Sequence, residues 1–448
     1  MNAKNSVPPA RIDRRRRIRV RLVLLLLALL GVLGMVPFRG QVRSLVLERG
    51  FLGNDSPDPM LVADTINASR NVQAAILAFW NTGRITHREI SIHAMRNIVS
   101  SSHHIPPKLK PLVEAAAIDP DLDVREEALC VLRQCQDPTL ATMVAIQLRD
   151  CDPEVRLLGA QYLRWLGADT GVPMATHLLD DTDPRVVVNG LLELERCGHQ
   201  DFGVKLTEIA AAVDDEKTGF KELHPGSELK CRAAAEIAKA WWTLHQAEYG
   251  TPAANSSNMP AAAITFPSGA EFEASALDGH KVSLSKLRGK AVLLYFWTTS
   301  HGGCLDELED FMTLERKYAD GLAIINVSLD NVKDDDGGIG DDDDLTVAHR
   351  QGKCRLPSPS EIREKIARAV KDRRLDFPII LDDEHFFISG RYNASSVPTT
   401  VIIDQRGLIH RRFYGRRSLP VLETMLDELR QSTNAVAQTN HQSASNGL

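Results

Sequence analysis

The stretch Ala291 to Cys304, AVLLYFWTTSHGGC, decides how the last third of the chain is interpreted. Seven apolar residues in succession, Ala291 to Trp297, predict a strand. The polar Thr-Thr-Ser-His-Gly-Gly segment predicts a loop, and Cys304 stands where a helix is expected to begin. If the chain performs chemistry, this loop is where we expect it.

Length and composition indicate an ordinary globular protein. The chain has 448 residues, of which 43% are hydrophobic and 25% charged, which suits two or three domains with normal cores. The net charge of -6 gives no indication of a nucleic-acid partner. We expect no cofactor and no bound metal.

The N-terminus has the pattern of a membrane anchor. Residues 1–21 are rich in arginine, and the uncharged apolar run over residues 22–38 spans roughly 26 Å at about 1.5 Å per residue, close to the hydrocarbon thickness of a bilayer. Arginines ahead of such a run keep the N-terminus cytoplasmic. We therefore predict a single-pass signal anchor in the inner membrane, with everything after it extracytoplasmic or periplasmic. A cleaved signal peptide is the alternative, but the run lacks a clear A-x-A site.

After a Gly- and Pro-containing spacer at residues 39–59, residues 60–249 have a helical pattern that repeats. Asp-x-x-Val-Arg or Asp-Pro-x-Val motifs recur every 31 residues, at Asp121, Asp152 and Asp183. In the same register stand small residues, Ala128, Gly159 and Gly190, and leucines, Leu132, Leu163 and Leu194. A fixed period of this length is typical of a solenoid.

The residue types explain how such a unit would fold. Aspartate caps the free N–H groups of a helix, proline fits its first turn, and the small residue lets neighbouring helices approach closely. This pattern resembles the short HEAT repeats of the phycobilisome-lyase type. The resemblance implies an all-α solenoid whose surface binds protein partners. The five cysteines in these residues lack C-x-x-C spacing, and their disulfide pairing cannot be assigned.

Beyond a Pro-, Ala- and Ser-rich linker at residues 250–267, the pattern changes to strands alternating with helices over residues 268–431. Apolar strands at Ala291 to Trp297 and Leu322 to Leu329 flank a helix, Leu305 to Tyr318. A hairpin joins Thr400 to Ile403 with Leu408 to Phe413. This order predicts an α/β domain with a central mixed sheet covered by helices. The Asn-, Gln- and Ser-rich tail, residues 432–448, is predicted to be disordered.

Residues Phe272 to Arg430 resemble the thioredoxin-like redoxins, the superfamily that joins alkyl hydroperoxide reductase/thiol-specific antioxidant proteins with membrane-anchored thiol-disulfide oxidoreductases of bacterial envelopes. The resemblance is carried by four segments: DGHKVSLSKLRGK from Asp278, YFW from Tyr295, FPIILD from Phe377, and VPTTVIID from Val397. It implies a thioredoxin-like fold in which Pro398 is cis and Val397 offers backbone groups to a substrate. Trp297 is expected to take part in substrate binding.

The candidate active site departs from this family. Envelope thioredoxins carry W-C-x-x-C after the strand, whereas this chain has Ser300-His301-Gly302-Gly303-Cys304, so that His301 stands where the attacking cysteine belongs. In dithiol exchange the first thiolate attacks and the second resolves the mixed disulfide. Disulfide exchange therefore cannot cycle within this motif.

Three interpretations of Cys304 remain open. As a peroxidatic residue, its pKa would be lowered by the helix N-terminus and by His301, and its sulfenic acid would be resolved by Cys354 or by a thiol reductant partner. In a degenerate thioredoxin, Val397 and Pro398 would bind extended polypeptide without turnover. For a Cys/His metal site, two ligands are too few. His301 has a simpler interpretation as a polar residue that caps the helix.

The sequence thus predicts a membrane-anchored envelope redoxin with thiol-based oxidoreductase or antioxidant activity through Cys304, the solenoid selecting protein clients. The alternative is a catalytically degenerate binding scaffold. Between the strands, Asp334 to Asp344 predicts a solvated acidic loop, and Ser358 to Glu361 predicts a helix start with a capping box.

Overall fold

The computed structural model describes residues 71–197, 266–330, 358–383, 387–394 and 396–431, and the single positions 66, 232, 235, 236, 239, 240 and 243. The predicted anchor at residues 22–38, the spacer, the acidic loop, Cys354 and the tail lie outside these residues. No helix among the described residues is long and apolar enough to cross a membrane.

Residues 71–197 are helical, as predicted, and are called the helical region below. Its helices are α1 (Val72–Trp80), α2 (Ile85–Ser102), α3 (Lys110–Ala116), α4 (Leu122–Gln134), α5 (Thr139–Gln147), α6 (Pro153–Tyr162), α7 (Ala168–Leu178) and α8 (Pro184–Arg196). Buried, mostly aliphatic side chains from these helices form one continuous core. Apart from the 18-residue α2, each of these helices has at most 13 residues and is marginal alone, so the shared core holds them together.

The repeated aspartates begin helices. The carboxylates of Asp121 and Asp152 each accept the backbone N–H of the residue two positions later, at 3.0 Å, and Asp183 does the same at 2.8 Å. The predicted capping role is confirmed.

The small residues of the repeat lie at close helix contacts. A Cβ at Gly190 would come within 2.9 Å of the Ala175 carbonyl oxygen, and one at Gly159 within 2.9 Å of Gln147 Cβ. Real Cβ atoms do not approach other atoms so closely, because packed interiors leave no room for them. The predicted reason for small residues at these positions is therefore confirmed.

A second set of side chains follows the same period. Asp119, Asp150 and Asp181, spaced 31 residues apart, accept hydrogen bonds from Arg88 at 2.6 Å, Arg125 at 3.0 Å and Arg156 at 2.8 Å. The period in the sequence is thus also a period of ion pairs between successive units. The likeness to phycobilisome-lyase-type HEAT repeats stays a prediction.

Residues 268–431 form the C-terminal domain, whose centre is a five-stranded mixed sheet, as predicted. The strands and helices are β1 (Glu273–Ser275), β2 (Lys281–Ser283), β3 (Ala291–Trp297), α9 (Gly302–Lys317), β4 (Leu322–Ser328), α10 (Pro359–Arg373), β5 (Ile379–Leu381), β6 (Thr399–Ile403), β7 (Ile409–Tyr414) and α11 (419–431). The sheet order is β5-β4-β3-β6-β7, while β1 and β2 pair separately.

The central strand β3 positions the candidate site. It runs parallel to β4 and antiparallel to β6, and its residue Phe296 pairs with Thr399 at the start of β6. The loop after β3 and the turn before β6 therefore lie next to each other at the same end of the sheet. The following helix begins at Gly302 rather than at the predicted Leu305, because His301 caps it. The predicted capping box at Ser358 is confirmed.

The two described parts of the chain pack against each other. The backbone N–H of Arg412 in β7 donates to the Pro120 carbonyl at 3.1 Å, and its guanidinium bonds both carboxylate oxygens of Asp121 at 3.0 Å. Arg411 donates to Asp150 at 2.8 Å. The C-terminal domain therefore packs against the side of the helical region on which the aspartates cap the helices.

Candidate functional site

Cys304 lies in the first turn of α9 and has no exposed surface. Its Sγ lies 3.4 Å from Nδ1 of His301, and the same Nδ1 accepts the backbone N–H of Cys304 at 3.3 Å. His301 is therefore the N-cap of the helix, as its simpler interpretation predicted. Because Nδ1 acts as an acceptor, it also suits the proton of a neutral thiol.

The environment of Cys304 favours the protonated thiol. Burial raises the pKa of Cys304 to about 12, and the nearby carboxylates of Glu307 and Asp330 act in the same direction. Hydrogen bonds from the Thr298 backbone and the Tyr295 side chain lower this pKa by less. The expectation of a lowered pKa is wrong, because desolvation outweighs the helix N-terminus. Since the thiolate is the nucleophile, the thiol is unreactive in this conformation.

Glu307, one turn further along α9, is a second buried titratable group that the sequence analysis missed. It is completely buried, and burial raises its pKa to about 7, against the lowering effects of the Arg417 backbone N–H and the Tyr295 hydroxyl. The Arg417 N–H donates to Glu307 Oε1 at 3.1 Å. The signal was present in the sequence: Cys304, Glu307 and Leu308 share the i, i+3, i+4 face that buries.

Polar side chains continue from this helix into the sheet. The Tyr295 hydroxyl donates to the Cys304 carbonyl at 3.1 Å. Tyr295 pairs with Asn326 in β4 and Thr400 in β6, so the three side chains share one face of the sheet. Within the described residues, the buried polar side-chain atoms of Asn326 and Thr400 have no hydrogen-bond partner. This face of the sheet, next to Cys304, therefore carries polar side chains rather than only apolar ones.

The turn before β6 has the predicted conformation. The Val397–Pro398 peptide bond is cis, as predicted. The Pro398 carbonyl accepts the Gly415 N–H at 2.8 Å, whereas neither backbone group of Val397 is hydrogen-bonded to any residue in the described part of the chain. These are the groups that the resemblance assigned to substrate; Val397 itself is buried, with 7% of its surface exposed.

The loop after β3 is held by β4. The Thr299 N–H donates to the carboxylate of Asp330 at 3.1 Å, and the Ser328 hydroxyl donates to the same carboxylate at 2.7 Å. Asp330 was not identified from the sequence. It immobilises the loop that carries His301.

The remaining predicted site residues, Trp297 and Cys354, do not line an exposed site in the described part of the chain. Trp297 is completely buried at the end of β3, so in this conformation it offers no surface to a substrate. The predicted resolving residue Cys354 lies outside the described residues. Those cysteines that the structure describes are free thiols: Cys130, Cys135, Cys151, Cys197 and Cys304. No group of three or more potential metal ligands occurs among the described residues.

Comparisons with known proteins agree with this fold. The AhpC/TSA family model matches residues 268–412. The chain is 31% identical over 158 residues to the thioredoxin-like protein YneN of Bacillus subtilis, covering 35% of this chain and 75% of that protein. It is 26% identical over 159 residues to the thiol-disulfide oxidoreductase ResA of Bacillus cereus, covering 35% and 74%.

Solved structures are similar over the same part. The crystal structure of StoA from Bacillus subtilis is 19% identical with a TM-score of 0.27, covering 35% of this chain and 97% of that one. The thioredoxin domain of a thiol-disulfide oxidoreductase from Bacteroides vulgatus is 18% identical with a TM-score of 0.28, covering 37% and 97%. From its fold and its relatives, the chain belongs through residues 268–412 to the AhpC/TSA family of thioredoxin-like proteins.

Proposed function

We propose that the C-terminal domain binds extended polypeptide at the Pro398 turn and does not cycle through dithiol exchange. The observation that carries this proposal is the state of Cys304, which is fully buried behind a histidine at the position of the attacking cysteine. A protonated, buried thiol does not attack an external disulfide, and with His301 in place of the first cysteine there is no mixed disulfide within the motif for Cys304 to resolve.

The unpaired backbone of Val397 supports the binding half of the proposal. Extended peptides bind through main-chain hydrogen bonds, which give affinity, while pockets for alternate side chains give specificity. Val397 lies just before the inner strand β6, at the end of the sheet where the loop after β3 begins, so a bound peptide would lie across His301. Partner selection is assigned to the helical region, whose likeness to HEAT repeats implies a protein-binding surface.

A second candidate is thiol-based redox chemistry at Cys304, favoured by its 3.4 Å contact with His301 Nδ1. In this reaction the site opens and His301 takes the thiol proton. The thiolate then attacks a hydroperoxide, the O–O bond breaks, Cys304 becomes a sulfenic acid, and the leaving alkoxide takes the proton from His301 and departs as the alcohol. An external thiol would condense with the sulfenic acid to a mixed disulfide with loss of water, and a second thiol would release Cys304.

The proposed location is the inner membrane, with residues 1–21 in the cytoplasm, a single-pass anchor at residues 22–38 and the chain after the anchor in the envelope space. The arginine-rich segment before the apolar run supports this orientation. A reporter fused after Leu448 is expected to be active only outside the cytoplasm, and cytoplasmic activity would refute the orientation.

Peptide binding by the purified full chain tests the function. We expect a fluorescent, cysteine-free extended peptide to bind, and an otherwise identical peptide with N-methylated backbone amides to bind at least about tenfold more weakly, because main-chain hydrogen bonds are lost. Hydrogen exchange at the Val397 amide should slow only with the first peptide. Equal binding of both peptides, or Cys304-dependent acceleration of disulfide reduction by dithiothreitol, would overturn the proposal.

A further inference from the structure

Arg417 joins the helical region to the candidate site. Its Nε lies 2.9 and 3.1 Å from the two carboxylate oxygens of Asp152, the N-cap of α6, and both side chains are 3% exposed. The pair is therefore buried at the contact between the two parts of the chain.

The same guanidinium also fixes the chain that follows β7. Its Nη1 donates to the carbonyl oxygens of Tyr414, Gly415 and Arg416, at 3.2 to 3.3 Å. It lies over the Phe413 ring, with its central carbon 4.5 Å from the ring centre. Residues 414–417, called the connecting segment, are thus folded around one side chain whose charge is balanced by the helical region.

The connecting segment contacts both halves of the site. The Gly415 N–H donates to the Pro398 carbonyl at 2.8 Å, next to the unpaired backbone of Val397. The Arg417 N–H donates to Glu307, one turn from Cys304. A displacement of this segment would therefore act on the peptide-binding turn and on the buried carboxyl at the same time.

We propose that Asp152 and Arg417 are positioning residues for the candidate site, so that docking of the helical region keeps the connecting segment, the Pro398 turn and Glu307 in place. This positioning role rests on the proposed function, because Asp152 and Arg417 would hold the same peptide-binding site in place. A partner that pulls the helical region away would loosen the turn and open Cys304. The helical region would thereby control the site rather than only carry it.

The other ion pairs of the contact differ from this one. Arg411 and Arg412 bind Asp150 and Asp121 from within β7, and among the described residues none of their hydrogen bonds reaches the Pro398 turn or Glu307. Removing one partner of a buried pair leaves the other charge uncompensated, which strongly favours local rearrangement. At Asp152 that rearrangement falls on the connecting segment.

The test uses the full chain and the rate at which N-ethylmaleimide labels Cys304, read by the mass of its peptide. Because Cys304 is fully buried, labelling reports local opening. Asp152→Asn keeps a good N-cap but removes the charge, and we expect labelling about tenfold or more faster. Asp183→Asn is the matched control, since Asp183 caps the equivalent helix and its bonds among described residues stay within the helical region; we expect less than about a twofold change.

Two further readouts separate positioning from general destabilisation. Asp152→Glu retains the carboxylate and should restore slow labelling. Hydrogen exchange should accelerate at the Gly415 and Arg417 amides while β3 stays protected. If Asp152→Asn does not fold, Arg417→Lys, which loses the three carbonyl bonds, should give faster labelling.

The proposal is overturned if Asp152→Asn labels like Asp183→Asn, if Asp152→Glu fails to rescue, if all amides of the domain exchange faster together, or if Arg417→Lys leaves labelling unchanged. None of these measurements uses a peptide ligand. A failure of peptide binding would therefore refute the proposed function and leave the positioning role to be decided by labelling.

Discussion

Replacing Glu307 with glutamine is expected to stabilise the C-terminal domain at pH 8 and to change little at pH 4. Glu307 is completely buried, and burial raises its pKa from 4.5 to about 7. Between pH 4.5 and about pH 7, the folded state holds a proton on Glu307 that the unfolded state has released. The free energy of unfolding therefore falls as pH rises through this window, and the full loss is present above pH 7.

The magnitude follows from the raised pKa. The interval from 4.5 to about 7, at about 1.4 kcal/mol for each pH unit, corresponds to a penalty on the order of 3 kcal/mol. Glutamine has the same shape and no charge, and its carbonyl oxygen still accepts the Arg417 N–H. Glu307→Gln should therefore gain about 3 kcal/mol at pH 8 relative to the native chain.

Native-state hydrogen exchange of the peptide covering β3, measured in the full chain at several pH values, reports this free energy for the C-terminal domain alone. Glu309→Gln is the control, because Glu309 lies on the same helix with half its side chain exposed. A gain that does not depend on pH, or a native chain more stable than the variant at pH 8, would refute the assignment of Glu307 as a buried carboxyl that resists ionisation.

Two further substitutions test the packing. Gly190→Ala, whose Cβ would lie 2.9 Å from the Ala175 carbonyl oxygen, should lower the free energy of unfolding by about 1–2 kcal/mol after the helix-propensity gain. The control is Gly167→Ala, because a Cβ there meets open space, and it should change the free energy of unfolding by less than about 1 kcal/mol. Equal effects of the two substitutions would contradict the close contact at Gly190. Arg412→Ala should cost about 3–5 kcal/mol in hydrogen exchange of β7, because it leaves Asp121 buried without its partner. Arg406→Ala removes a guanidinium that is 57% exposed, while its buried partner Asp404 keeps its hydrogen bonds with the Leu408 N–H and His410, so it should cost no more than about 1 kcal/mol. Similar losses for both variants would argue against a buried docking contact.

Much of the fold was predictable because its determinants are local. Seven consecutive apolar residues predicted β3 with its observed bounds, and the Ser358 capping box predicted the start of α10. The aspartate caps and the glycines of the repeat were predictable for the same reason, since capping and close packing depend on residue types at fixed spacing. The start of α9 was missed by three residues, because two glycines are poor helix formers and only the His301 cap places them in the helix.

The site was less predictable because it depends on long-range burial. The pKa of Cys304 was expected to fall from its place at a helix N-terminus, but the sheet and α9 remove it from water, and desolvation dominates. The docking contact left no local pattern either, since Arg412 and Asp121 stand 291 positions apart. Two adjacent arginines in β7 are indistinguishable in the sequence from a solvated strand face.

The central claim is that Cys304 is a protonated thiol that does not turn over. The most direct measurement is the rate of Cys304 alkylation in the full chain as a function of pH, together with the formation of sulfenic acid on exposure to hydroperoxide. We predict slow alkylation with no thiolate step below about pH 10, and no sulfenic acid. A thiolate pKa below that of free cysteine, with sulfenic acid formed by the native chain and absent from Cys304→Ser, would contradict the claim and establish a peroxidatic residue.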